Sequence, residues 1–140
     1  MLHQASCVAL GLAEGKRALL IEGPSGSGKS SLALALLDRG ARLVGDDGVT
    51  LEKRGTRLWA SPPPNIEGLL EIRNVGLVRF EPTEAMVALI LSLDPAAQRL
   101  PECPETAERG GCRVPLLRLD PRMSHLDLRA IHALQIHGLG

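Results

Sequence analysis

Aromatic residues are almost missing from this chain: one Phe, one Trp and no Tyr in 140 residues. A surface that stacks on nucleic-acid bases needs several such rings, so the composition argues against that partner. The core must instead be packed from Leu, Val, Ile and Ala. Net charge is lacking as well, since 16 basic residues stand against 16 acidic ones. No basic face for a phosphate backbone or a membrane surface is expected. The apolar start of the chain, Met1 to Leu10, has no charged leader and is soon interrupted by Glu14, Lys16 and Arg17. Neither a signal peptide nor a bilayer-spanning run is expected. Cysteine is scarce and odd in number: Cys7, Cys103 and Cys112 have no paired short spacing, so neither a zinc site nor a disulfide framework is indicated. A reducing cytoplasm is the default location. The remaining balance, 44% hydrophobic and 23% charged, is that of a soluble globular chain. Its length suits one domain, residues 1–140, burying about two-thirds of its unfolded surface.

What the chain does have is glycine in a particular order. Gly23-Pro24-Ser25-Gly26-Ser27-Gly28-Lys29-Ser30 fits the phosphate-binding pattern G-x-x-x-x-G-K-[ST] without a mismatch. The glycines allow backbone turns closed to other residues, so that successive N–H groups face phosphate oxygens. Lys29 reaches the β and γ phosphates, Ser30 offers a hydroxyl to Mg²⁺, and the following helix adds the positive end of its dipole. The candidate nucleotide-binding residues are therefore Gly23, Pro24, Ser25, Gly26, Ser27, Gly28, Lys29, Ser30 and Ser31, with ATP and Mg²⁺ as the expected cofactors. The context agrees: Ala18 to Ile21 reads as a buried strand, and Ser31 to Arg39 carries apolar residues on a helical period and stops at Gly40.

Along the rest of the chain, residues 5–10 and 18–22 read as strands joined through Gly11 to Lys16. His3, ahead of the first, reads as a surface residue of a frayed terminus. Residues 41–44 form a short strand ending in Gly45-Asp46-Asp47. In an open α/β sheet, ligands sit beyond the carboxyl ends of strands, which puts this acidic pair near the triphosphate. One carboxylate can help hold Mg²⁺ and the other can orient or deprotonate an attacking hydroxyl; Asp-Asp-Gly is also good turn chemistry. Residues 49–52 and 56–60 read as a hairpin, and Ser61 to Ile66, with three prolines, as a rigid loop. Gly68 to Val78 reads as an extended segment with Glu71 and Arg73 on one face. Met86 to Leu93 has the profile of a central strand buried on both faces. Residues 95–111 read as a long irregular connection, Cys112 to Leu119 as a strand, and Ser124 as the N-cap of a final helix from His125 to about Ile136. His125, His132 and His137 lack metal-pair spacing and read as surface or packing residues.

Three of these stretches together, Gly23 to Ser30, Leu43-Val44-Gly45-Asp46-Asp47 and Leu69-Leu70-Glu71-Ile72-Arg73-Asn74-Val75-Gly76-Leu77-Val78, resemble the HPr kinase/phosphorylase family in a short form consisting of the catalytic domain alone. The resemblance covers residues 3–80 well and the remainder loosely. It implies an α/β fold: a P-loop kinase core similar to phosphoenolpyruvate carboxykinase, with a mixed sheet and flanking helices. It further implies a kinase that phosphorylates a serine of HPr, the phosphocarrier of the sugar phosphotransferase system, and reverses this with inorganic phosphate. A homo-oligomer is implied too, full-length members being hexamers. Carried over, Lys29, Asp46 and Asp47 are the catalytic candidates, with Asp47 as the base toward the seryl hydroxyl. Ser30, Asp46 and Glu71 are the metal candidates. Arg73 belongs to the signature without an assigned role. The sequence departs from the family at Asn74, where the signature has Gly, in the longer stretch from His3 to the P-loop, and at Asp120-Pro121-Arg122-Met123, a partial echo of a Pro-Gly-Arg loop. Two other functions stay open: an ATP-sensing module without phosphotransfer, and a small-metabolite P-loop kinase.

Overall fold

The structure, a computed structural model, describes residues 1–12, 15–64 and 68–140. In chain order the elements are β1 (Leu2–His3), β2 (Ser6–Leu12), β3 (Gly15–Glu22), α1 (Lys29–Asp38), β4 (Arg42–Gly45), β5 (Val49–Arg54), β6 (Arg57–Ser61), β7 (Leu69–Ile72), β8 (Gly76–Arg79), β9 (Ala85–Leu93), β10 (Glu105–Arg109), β11 (Cys112–Leu119) and α2 (Leu126–His137). The tips of two predicted loops, Ala13-Glu14 and Asn65-Ile66, lie outside the described residues.

One mixed sheet carries β1-β5-β6-β9-β3-β2-β4 in that order, with β11 also on β9 and β10 on β11. Strand β9 is its centre. Its first residues pair antiparallel with β6 and its last four pair parallel with β11, while β3 runs parallel along its other edge. A register shift between Ala18 and Leu19 of β3 leaves Ala88 of β9 without an opposite partner. An extra residue in one strand reverses the side-chain alternation beyond it. Val87 accordingly belongs to one apolar cluster, whereas Ala88 and Leu89 both belong to the other.

Those two clusters are the two faces of the sheet. On one face Leu19, Ile21, Leu89 and Leu91 pack under Leu32, Ala33 and Leu36 of α1 and Ala130, Ala133 and Leu134 of α2. An ion pair between Arg39 and Asp127 ties the two helices together. On the other face Leu20, Val44, Leu51, Leu58, Ile90 and Val114 bury one another with no helix among them. Strands from both ends of the sheet can meet there only if the sheet curls, as right-handed twist favours.

Several sequence expectations change. Leu69 to Val78 is a hairpin rather than one extended segment: β7 and β8 form their own two-stranded sheet, and Arg73 lies in the turn between them. Asn74 takes φ 70° there, the left-handed conformation that lets the chain reverse. Residues 95–111 contain β10, joined to β11 through Gly110 and Gly111, both at positive φ, as a two-residue hairpin turn requires. Helix α2 is entered through His125 at φ 55°, ψ 46°, with no side-chain cap. Ser124 is not the N-cap; its carbonyl accepts Arg129 Nε at 2.8 Å instead. His3 is not frayed either, since β1 pairs with β5 through His3 and Val49.

Candidate active site

Strand β2 is antiparallel to both β3 and β4, so β3 and β4 point the same way. Their carboxyl ends therefore open on one edge of the sheet, and the glycine loop that follows β3 meets the acidic pair that follows β4. Both turns depend on glycine for room. A Cβ on Gly23 would come within 2.7 Å of Ser27 Oγ and 3.2 Å of Leu93 Cβ. A Cβ on Gly45 would lie 2.2 Å from the carbonyl oxygen of Gly48. The loop passes into α1 through Gly28 at φ 103°, and no side chain caps the helix. The N–H groups of Lys29, Ser30 and Ser31, in its first turn, have no acceptor within the helix and face the position where an anion binds.

The cleft above this edge has a volume of about 360 Å³, within the range of small-molecule sites. Its floor is Ser25, Gly26, Gly28, Lys29, Ser30, Ser31 and Leu34; one wall is Asp46 and Asp47, and the other is Leu70 to Arg73 of the β7–β8 hairpin. The candidates Ser25, Gly26, Gly28, Lys29, Ser30, Ser31, Asp46, Asp47 and Glu71, separated by up to 46 residues in sequence, thus share one cleft. Gly23, Pro24 and Ser27 shape the loop without lining the cleft.

Within the loop, Lys29 Nζ donates to the carbonyls of Gly23 at 2.8 Å and Pro24 at 3.1 Å. The ammonium is held at the loop by weak neutral acceptors that a phosphate oxygen would outcompete. Ser27 Oγ is buried with no hydrogen-bond partner. Ser30 Oγ donates to Asp46 Oδ1 at 2.7 Å, and Ser6 Oγ donates to the same oxygen at 2.9 Å. Asp47 sits at φ 57°, a strained conformation for a residue other than glycine, which turns the chain back at the cleft wall.

The donor set suits Mg²⁺ and ATP. Ser30, Asp46 and Glu71 carry hard oxygen atoms of the kind Mg²⁺ prefers. Among the described residues no three His, Cys, Asp or Glu side chains group closely enough to hold a metal by themselves. Mg²⁺ is commonly held through one or two carboxylates and completed by substrate phosphates.

Other residues fall elsewhere. Arg122 does not line the cleft: it is 72% exposed, pairs with Asp120 and donates to the carbonyl of Pro95. His3 Nε2 lies 2.7 Å from Glu22 Oε2, and Arg109 reaches both oxygens of Glu22, at 2.9 and 2.7 Å. Burial pulls the Glu22 carboxyl upward, but the hydrogen bonds from Arg109 and His3 outweigh it and hold the group below its ordinary value. Glu22 immediately precedes the P-loop, so this cluster joins β1, β3 and β10 at the loop's root. Burial pushes the Cys7 thiol far up, leaving it neutral and inert. Sequence reasoning missed Ser6 and the Glu22 cluster. The one available signal was a hydroxyl opening the apolar strand Ser6–Leu12 and a carboxylate ending the apolar run Ala18 to Ile21.

Fold and cleft define a P-loop α/β domain of the kinase type, with a curled mixed sheet and helices on one face. The family model of the HPr serine kinase C-terminal domain matches residues 15–83. The HPr kinase/phosphorylase of Brevibacillus brevis is 51% identical over 63 residues, covering 44% of this chain and 20% of that protein. That of Streptococcus gordonii is 33% identical over 115 residues, covering 72% of this chain and 37% of that protein. Among solved structures, the Hpr(Ser) kinase/phosphatase from Coxiella burnetii superposes with a TM-score of 0.77 at 25% identity, over 96% of this chain and 88% of that one. The chain is thus similar to the HPr kinase/phosphorylase family in sequence and fold, and it spans well under half the length of these curated relatives. No helix among the described residues is long and apolar enough to cross a membrane.

Proposed function

We propose that this protein is a cytoplasmic, Mg-ATP-dependent serine kinase acting on the phosphocarrier HPr, able to run the reaction backward with inorganic phosphate and working as a homo-oligomer. The observation that carries this reading is the convergence of Lys29 and Ser30 with Asp46, Asp47 and Glu71 in one cleft. Lys29 exchanges the Gly23 and Pro24 carbonyls for phosphate oxygens, and the N–H groups at the start of α1 hold the phosphate chain. Magnesium, when bound, neutralises charge on the transferred phosphoryl group and fixes its oxygens; Ser30, Asp46 and Glu71 would hold it. Asp47 takes the proton of the acceptor seryl hydroxyl as its oxygen bonds to the γ-phosphorus and the bond to the ADP oxygen breaks. In the reverse direction Asp47 returns that proton to the seryl oxygen as inorganic phosphate takes the phosphoryl group. Most of the rate enhancement comes from positioning and charge neutralisation.

The test is to mix the protein with Mg-ATP and the HPr of the same genome and read HPr by intact mass. One added phosphate on serine is expected, absent with Lys29→Ala. Asp47→Asn is expected to lower transfer by about 10²- to 10⁴-fold, the usual worth of a general base, while nucleotide still binds. Tight ATP binding with HPr unmodified would overturn the kinase reading in favour of an ATP sensor or another acceptor.

A further inference from the structure

Ser6 is the one polar residue among the described residues that is fully buried, at 0% exposure. It stands in β2, paired with Ile21 of the P-loop strand, between two strands whose ends carry the candidate catalytic groups. A buried hydroxyl must place its proton somewhere, and here it goes to Asp46 Oδ1 at 2.9 Å. That oxygen also accepts the Ser30 hydroxyl at 2.7 Å, while Oδ2 accepts no hydrogen bond from any described residue. Two donors on one oxygen fix the carboxylate in position and leave the second oxygen as the ligand-facing one.

The two donors are not equivalent. Ser30 lines the cleft, where its oxygen can also meet a metal while its proton stays on Asp46. Ser6 is closed off from solvent, at 0% exposure, and does not line the cleft. We propose that Ser6 is a positioning residue for the metal site: its hydroxyl holds Asp46 so that Oδ2 and Ser30 Oγ present a preformed pair of ligands to the Mg²⁺ that accompanies nucleotide. This rests on the Mg-ATP reading above. Partners of metal-holding carboxylates set ligand orientation, and losing one typically costs about 10- to 100-fold in metal affinity.

The experiment titrates Mg²⁺ against binding of a fluorescent ADP analogue to the full chain, for wild type, Ser6→Ala and Ser6→Cys. Alanine removes the hydroxyl; cysteine nearly preserves the volume and replaces a strong donor by a weak one, so it decides the matter if the alanine variant does not fold. Both variants are expected to need about 10-fold or more Mg²⁺ for half-maximal binding, while nucleotide binding without metal is unchanged. A purely structural role would lower thermal stability without moving the Mg²⁺ midpoint, and an unmoved midpoint in a folded variant overturns the proposal. If wild type binds the analogue with no dependence on Mg²⁺, the Mg-ATP reading fails first and this inference with it.

Discussion

Glu22 sits where a strand becomes a phosphate loop, and its charge is held by two side chains from distant parts of the chain, the Arg109 guanidinium and the His3 ring. Its carboxyl titrates below the ordinary value despite its burial. A depressed folded-state value means that the stabilisation is fully present above the unfolded value, about 4.3, and is lost as pH falls through the folded value. Glu22→Gln is therefore expected to melt below wild type at pH 7, and the gap should close as pH drops from about 4.5 toward 3. Melting curves across that range check this; parallel curves would show that the carboxylate charge contributes nothing. At this scale the sequence is legible only where a motif is contiguous. Lys29, Ser30, Asp46 and Asp47 were visible because the loop pattern names its own chemistry and the acidic pair follows a strand. Ser6 and Glu22 were not, because their partners lie 40 and 87 residues away along the chain and no local spacing encodes them.

Among the elements, the β7–β8 hairpin forms one wall of the cleft through Glu71 and depends on a turn through Asn74 at φ 70°. A left-handed conformation costs a side-chain-bearing residue about 1–2 kcal/mol, less for Asn, and nothing for Gly. Asn74→Gly should be neutral or slightly stabilising, whereas a β-branched Asn74→Val should cost about 1–2 kcal/mol. The valine variant should also weaken nucleotide binding, because the wall carrying Glu71 would shift. Chemical denaturation and nucleotide titration of both variants check this, and equal stability would mean the turn relaxes freely. The alternation of Leu70, Glu71 and Ile72 correctly marked extended structure, but it did not mark where that structure folds back, since Arg73-Asn74-Val75 has no glycine at the turn itself. Strand β10 was missed for a related reason. Glu-Thr-Ala-Glu-Arg offers only Ala107 to the core, since β10 lies at the sheet edge and among the described residues pairs only with β11. Its clearest mark was the Gly110-Gly111 turn. Helix α2 was visible in its apolar period but not in its start, where the backbone of His125 supplies the turn that a Ser124 cap would have supplied.

Across the whole molecule, the cleft lies between a deeply buried sheet and a more exposed hairpin. Its floor is anchored to β3 and β9, whose residues from Leu19 to Ile21 and Val87 to Leu91 are fully buried and feed both apolar clusters. Its far wall is a two-stranded sheet outside the main one, attached through buried Leu70 and a hydrogen bond from Phe80 N to Gly68 O, with Val75 and Leu77 each at least 70% exposed. An isolated hairpin is marginal in water, so β7–β8 should open locally while β3 and β9 open only with global unfolding. Hydrogen exchange is then expected to be fast in β7–β8, slow in β3 and β9, and intermediate in the edge hairpin β10–β11. If Mg-ATP binds between floor and wall as proposed, saturating amounts should slow exchange in Lys29 to Ser31 and in β7–β8 together, while leaving β10–β11 unchanged. Slowing in the P-loop alone would mean that Glu71 does not reach the bound nucleotide and its metal, and the wall would then belong to acceptor docking rather than to phosphate chemistry.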